Sequence, residues 1–253
     1  MLGSPIAHSR SPQLHLAAYR ALGLEGWTYE RIECTADELP GVAEGFGPEW
    51  VGVSVTMPGK FAALRFADER TPRAELVGSA NTLVRSQAGW RADNTDIDGV
   101  KGALGTVAGR AAVLGSGGTA HAVVVGLAEL GVQDISVVAR NRDKAAALLA
   151  LGARLGVGIR WIELGTTVDV DVVISTIPAD VAARYADTIA ATPRLLDAIY
   201  DPWPTPLAAA VEAAGGQVIS GLQMLLHQAF TQVELFTGLP APTEAMRAAL
   251  SGQ

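Results

Sequence analysis

The sequence predicts a two-domain α/β protein: an N-terminal α/β domain, then a doubly wound domain, with C-terminal helices that return to the first. Three observations carry this. Short β-rich runs alternate with helical patterns through both halves of the chain, the grammar of βαβ units and a parallel sheet. The length of 253 residues allows one large or two modest domains, and the pattern along the chain favours two. A glycine-rich turn, Gly115-Ser116-Gly117-Gly118-Thr119, stands directly between an apolar run and a helical one.

Taken in order, the chain first makes a turn, "HSRSPQLH", into a helix. Pro12 suits the first helical position and Ser11 the N-cap, while Leu14, Ala17, Ala18 and Ala21 form the apolar face. Then "WTYERIE" reads as a strand before helical "TADELPGVAEGF", and "WVGVSVT" as a strand before a loop and "ALRFADE". The boundary falls near "NTDIDGVKGAL", which gives residues 1–98 with 223–253 to one domain and 99–222 to the other. The second series runs through "AAVLGSGG", "AHAVVVGLAELG", "ISVVAR", "KAAALLALGARLG", "VDVVIST", "ADVAARYADTIA" and "GGQVIS". The closing segment repeats apolar residues at Leu222, Leu225, Leu226, Ala229, Phe230, Val233 and Phe236, a helical stripe that Gly238 is placed to end. Ligand is expected in the cleft between the domains.

Composition excludes several classes. A formal charge of −7 with no basic patch argues against nucleic acid or an anionic membrane as partner. The single cysteine, Cys34, allows no internal disulfide and no metal-ligand spacing, so no metal is expected and the reducing cytoplasm is the natural location. No basic-then-apolar leader precedes the first turn, and the uncharged stretch from Ala111 to Ala128 is broken by its Gly, Ser, Thr and His cluster. Asn94, Asp96, Asp98 and Gly99 imitate a calcium loop, but Gly105 stands where a bidentate Glu is needed.

The glycine turn points to a dinucleotide. Gly115, Gly117 and Ala120 match the G-x-G-x-x-G/A pattern, in which the turn tightens, the backbone approaches a pyrophosphate and the next helix offers its N–H groups. A cofactor with a free ribose hydroxyl is met by an acid about 20 residues on. Here "VVARNRDK" supplies Arg140, Arg142 and Lys144 instead, cations suited to a 2′-phosphate, so NADP is favoured over NAD.

Polar loops in the first domain suggest a second ligand. A cap explains Ser11 but not Ser9, and in an extended approach the two hydroxyls face the same way, able to grip a hydroxylated or anionic molecule. "VSVTMPGK" carries Thr56 and Lys60, "GSANT" carries Asn81 and "ADNTDIDG" carries Asp96. Each alone is an ordinary strand end, surface lysine, turn or cap; four such loops together suggest one site. Only Lys60, Lys101 and Lys144 among nineteen cations are lysines. In a chain that defaults to arginine, a loop lysine draws notice because an ammonium can lose its proton.

These segments resemble the shikimate dehydrogenase family. "GSPIAHSRSP", "SVTMPGK", "GSANT", "NTDIDG", "GSGGT", "STIP", "YDPWPTPL" and "GLQMLLHQ" occur in family order over nearly the whole chain. The resemblance implies a substrate domain joined to a Rossmann-like NADP-binding domain, interconverting 3-dehydroshikimate and shikimate. It implies substrate contacts at Ser9, Ser11, Thr56, Lys60, Asn81, Asp96, Tyr200 and Gln228, with Lys60 and Asp96 as the catalytic pair. Cofactor contacts are implied at Gly115, Ser116, Gly117, Gly118, Thr119, Arg140, Asn141, Arg142, Lys144, Ala198 and Gly221. Departures are Leu16 and Ser54 where the family has Asn, and Ala139-Arg140-Asn141 in place of Asn-Arg-Thr, which bears on NADP affinity. The family's first strand is nearly absent, Met1 standing just before its final leucine and glycine, which implies a late start. A quinate/shikimate dehydrogenase with relaxed cofactor use and a non-catalytic NADP-responsive regulator on the same fold are the rivals. Monomer and homodimer both fit.

Overall fold

The computed structural model describes residues 1–251. It divides into two units, Met1–Thr95 with the segment from Leu225 onward, and Asp96–Met224.

The first unit contains β1 (Leu2–Gly3), α1 (Ser11–Ala21), β2 (Ile32–Glu33), α2 (Leu39–Glu44), β3 (Gly52–Ser54), α3 (Lys60–Phe66), β4 (Glu69–Arg70), α4 (Pro72–Val77), β5 (Thr82–Ser86) and β6 (Gly89–Asp93). β1 and β2 pair in parallel, and Leu2 bridges in parallel to Val55. The other sheet, in the order β3-β5-β6-β4, corrects the expectation of parallel pairing throughout. β5 is antiparallel to both β3 and β6, and only β4 and β6 run in parallel. For β5 and β6 the cause is the short link between Ser86 and Gly89, since a connection of two residues permits only an antiparallel return. α4 shows how local sequence sets an element: Thr71 accepts from the Ala74 amide, Pro72 opens the helix, and Gly78 at φ 75° closes it. Leu39, Val53, Leu83 and Trp90 lie in one core.

The second unit contains α5 (Asp96–Leu104), β7 (Ala111–Leu114), α6 (Gly118–Glu129), β8 (Asp134–Ala139), α7 (Arg142–Leu155), β9 (Gly158–Glu163), β10 (Val172–Ser175), α8 (Ala179–Ala183), α9 (Ala186–Ile189), β11 (Arg194–Asp197), α10 (Pro206–Ala213) and β12 (Gln217–Ser220). Its six strands are all parallel, in the order β12-β11-β10-β7-β8-β9. The chain therefore starts in the middle, at β7, winds outward one way and then returns past β7 to wind the other way. The switch point lies between β7 and β10. β9 and β11 escape the sequence reading. β9 is an edge strand that interleaves Arg160 and Glu163 with apolar residues, and β11 is only four residues long.

α11 (Gly221–Thr237) begins in the second unit, and from Leu225 it belongs to the first, as does α12 (Thr243–Ser251). Leu226, Ala229 and Val233 of the expected stripe pack with Leu14, Ala18 and Tyr19 of α1 and Met246 of α12. Gly238 follows the helix at φ 71°. Among the described residues no helix is long and apolar enough to cross a membrane.

Candidate active site

In the second unit the glycine turn lies at the carboxyl end of β7, beside the switch point. Gly115 has φ 113°, and a Cβ there would stand 2.6 Å from Thr176 Oγ1, so only glycine allows the β7 turn to nest against the β10 turn. A Cβ on Gly117 would meet nothing within 4 Å, which leaves room for a ligand over the backbone. Gly117 is the N-cap of α6 and supplies no capping side chain, so the first turn of that helix is suited to an anion. Arg140, Arg142 and Lys144 are exposed just beyond β8. Asn141 is the N-cap of α7, and its side-chain oxygen accepts from the amides of Asp143 (2.8 Å) and Lys144 (3.2 Å). On the other side of the switch point, Ala198 follows β11 and its amide donates to Ser175 O. Gly221 lies so close to Ala198 that a Cβ would collide with the Ala198 carbonyl. Tyr200 is half-buried in the loop after β11. That loop is anchored by Asp197, which accepts from Thr205 Oγ1 (2.6 Å) and the Ile199 amide (3.1 Å), and whose carboxyl is pushed up by burial.

In the first unit the polar loops are stitched together by their backbones. The Val55 amide donates to Asn81 O at 2.7 Å, the Ala80 amide to Lys60 O at 2.9 Å, and the Asn81 amide to Asp93 O at 3.2 Å. The loops of Thr56, Lys60 and Asn81, along with the end of β6, are thereby drawn together. Lys60 opens α3 and is half-buried; Thr56 is half-buried three residues before its Gly59 cap. Buried Asp93 accepts from Thr71 Oγ1, from Nε (2.6 Å) and a terminal nitrogen (2.8 Å) of Arg73, and from the Asn94 amide. Burial raises its carboxyl's pKa, but these donors, led by the Arg73 guanidinium, outweigh that and hold it below the usual carboxylate range. Asp96 is the buried first residue of α5, in the second unit.

Asn81, 2% exposed, meets the closing helix: Nδ2 donates to Thr95 Oγ1 at 2.9 Å and to Gln228 Oε1 at 3.1 Å. Gln228 comes from 147 residues away. The hydroxyls of Ser9 and Ser11 face one another at 3.4 Å, both buried. Arg10 between them is helical, at φ −91° and ψ −1°, so the extended approach expected from the sequence is absent. The capping assignment also changes. Arg10 occupies the N-cap of α1 with no side-chain bond, Ser11 is the first helical residue, and it is Ser9 Oγ that accepts from the Ser11 amide at 3.3 Å. Arg31 holds Ser9 from outside, donating from Nε (2.9 Å) and a terminal nitrogen (2.6 Å) to its carbonyl. Ser9→Ala accordingly loses about 1 kcal/mol of stability in denaturant melts.

Four side chains around these groups went unremarked in the sequence: His15, Thr82 and Gln232, all buried, and half-buried Tyr29. Tyr29 bonds to Ser54 and stacks on His15, ring centroids 4.1 Å apart. His15 Nε2 lies 3.3 Å from Gln232 Oε1. The signal was present, since His15 and Gln232 interrupt otherwise apolar helical faces. Burial lowers the His15 pKa from 6.5 to about 3. Between those values the unfolded chain binds a proton that the folded protein refuses, so stability falls as pH drops through the unfolded value. The expected loss is about 2 kcal/mol between about pH 7 and about pH 5, read from denaturant melts, and His15→Gln flattens it.

A doubly wound sheet with an open glycine turn at its switch point, followed by exposed arginines, is the architecture of a nucleotide-dependent oxidoreductase. Known proteins agree. Residues 1–83 match the shikimate dehydrogenase substrate binding domain, and residues 221–250 match the shikimate 5′-dehydrogenase C-terminal domain. The shikimate dehydrogenase (NADP(+)) of Microcystis aeruginosa is 33% identical, over 100% of this chain and 96% of its own length. The crystal structure of Mycobacterium tuberculosis shikimate dehydrogenase is 76% identical, with a TM-score of 0.96 over 100% of this chain and 98% of that one. Shikimate 5-dehydrogenase from Thermus thermophilus, in complex with NADP(H) and shikimate, is 30% identical, with a TM-score of 0.83 over 99% and 97%. The chain belongs to the shikimate dehydrogenase family.

Proposed function

We propose that this protein interconverts 3-dehydroshikimate and shikimate with NADP(H). The observation that carries the reading is the convergence of Asn81 and Gln228, from segments 147 residues apart, on the unit that matches the family's substrate-binding domain.

The reading assigns residues 1–98 and 223–253 to substrate and 99–222 to cofactor. Reduction of a ring ketone needs a hydride at carbon and a proton at oxygen. When bound, the reduced nicotinamide supplies the hydride. Lys60, as an ammonium, hydrogen-bonds the carbonyl oxygen, stabilises the negative charge that develops there and delivers the proton; an arginine could do the first two but not the last. Asp96 is its catalytic partner and accepts from a substrate hydroxyl. Ser9 and Ser11 bind the substrate carboxylate, and Thr56, Asn81, Tyr200 and Gln228 bind its hydroxyls and ring. Ser9→Ala therefore also raises KM for shikimate.

Gly115, Ser116, Gly117, Gly118 and Thr119 take the pyrophosphate, and Arg140, Arg142 and Lys144 the 2′-phosphate. Asn141 has its oxygen engaged in the cap, so its contact comes through Nδ2. Ala198 and Gly221 border the nicotinamide end. The cytoplasm is the proposed location.

Appearance of reduced nicotinamide absorbance, with shikimate or quinate and with NADP or NAD, tests the reading. Turnover selective for shikimate with NADP is expected. Comparable kcat/KM for quinate or NAD assigns the relaxed enzyme instead, and no turnover with any pair overturns the reading.

A further inference from the structure

We propose that Gln232 is a positioning residue for the substrate, acting through Thr82 to supply the side-chain donor that, beside the Thr95 amide, holds the Asn81 oxygen inward. This inference rests on the assignment of Asn81 as a substrate contact.

Gln232 lies on α11 one turn beyond Gln228 and is 1% exposed. Its Nε2 has two acceptors, Thr82 Oγ1 at 2.9 Å and Asn81 O at 3.2 Å. That places Oε1 toward His15 Nε2, which must carry the proton because a carbonyl oxygen only accepts. His15 Nδ1 is left to accept from the Tyr19 hydroxyl at 3.5 Å. Thr82, fully buried, has one proton to give. Since its oxygen accepts from Gln232, the proton goes to Asn81 Oδ1 at 2.8 Å. The Thr95 amide donates to the same Oδ1 at 2.8 Å.

The direction of each bond thus follows from the one before it: His15 to Gln232, Gln232 to Thr82, Thr82 to Asn81, Asn81 to Gln228. Its output is an Asn81 amide whose oxygen faces the protein and whose NH2 faces Thr95 and Gln228. An amide is nearly symmetric in shape, so what separates it from its flipped form is its two donors, the Thr95 amide and the Thr82 hydroxyl, and only the second depends on Gln232. The flipped form would turn Oδ1 toward Gln228 Oε1 and the NH2 toward the Thr95 amide, and so unmake the Asn81–Gln228 pair on which the substrate reading rests. A leucine at 232 would satisfy the apolar stripe but give Thr82 no such instruction.

The test is the near-isosteric Gln232→Glu, read at a pH high enough that its buried carboxyl is ionised and has no proton to give. Thr82 then donates to it, and Asn81 Oδ1 loses that donor. Thr82→Val removes the same donor, and Thr82→Ser retains it. Expected is a rise in KM for shikimate of about tenfold or more for Gln232→Glu and Thr82→Val, with KM for NADP within about twofold of wild type. Thr82→Ser restores most of the loss. The Gln232→Glu/Thr82→Val double variant is no worse than the poorer single, because both cut one chain.

A folded Gln232→Glu with wild-type KM for shikimate overturns the proposal, as does an equal rise in both KM values alongside a lowered Tm. If Gln232→Glu does not fold, the Thr82 pair decides: Thr82→Val at the wild-type KM overturns it. Wild type that forms no NADPH from shikimate refutes the functional reading and this inference together. An active wild type whose variants keep its KM refutes this inference alone.

Discussion

Lys60→Ala lowers kcat by about 10²–10⁴-fold while KM for shikimate moves by only a few fold, as steady-state kinetics will read. The size follows from the task. Hydride arrival at the carbonyl carbon leaves an alkoxide, and without a positioned acid its proton must come from water. The proposed reading spreads binding over Ser9, Ser11, Thr56, Asn81, Tyr200 and Gln228, so loss of one ammonium should leave most ground-state contacts in place. Stability should also hold: Lys60 is the first residue of α3, and its backbone carbonyl, which anchors the Ala80 amide, is unchanged by the substitution. A loss confined to KM would make Lys60 a binding residue only.

The second large effect is on cofactor choice. Replacing Arg140 and Arg142 together by alanine should raise KM for NADP by about 10- to 100-fold and leave KM for NAD nearly unchanged, so the NADP-to-NAD ratio of kcat/KM collapses. Hydrogen bonds to a charged group are worth about 1.5–3 kcal/mol, and about 1.4 kcal/mol is tenfold. Both side chains are exposed beyond β8, and the start of α7 is secured by Asn141, so the double variant should unfold within about 0.5 kcal/mol of wild type. Equal losses with NADP and NAD would move the arginines away from the 2′-phosphate.

The parts of the molecule legible in the sequence were those where local spacing and long-range packing make the same demand. The glycine turn is set by a strand before it, a helix after it and a close approach that excludes a Cβ at Gly115, and all three leave marks in the chain. The α11 stripe was legible because its period is held over four turns. The β5–β6 hairpin was not: neither Thr82–Ser86 nor Gly89–Asp93 alternates cleanly, and the link lacks the Asn-Gly or Asp-Gly signal. At α1 the two hydroxyls do lie together, but the bond to the helix start is made by Ser9 and not by Ser11. Ser9 stands two residues before the amide it accepts from, and a helix start one residue off is enough to reverse such an assignment. Tyr200 and Gln228 came only through resemblance, since nothing local marks a glutamine inside a helix as a ligand. Gln232 and His15 were the readable signals left unread, polar side chains on faces that a core should fill with apolar ones.

The most direct measurement compares steady-state kinetics of the wild type and Lys60→Arg with shikimate and NADP. Arginine keeps the positive charge and a hydrogen bond but cannot exchange its proton at accessible pH. The account predicts rapid NADPH formation by the wild type, with kcat for Lys60→Arg reduced nearly as far as for Lys60→Ala at a KM close to wild type. A Lys60→Arg enzyme that turns over at the wild-type rate, or a wild type that forms no NADPH from shikimate, would contradict it.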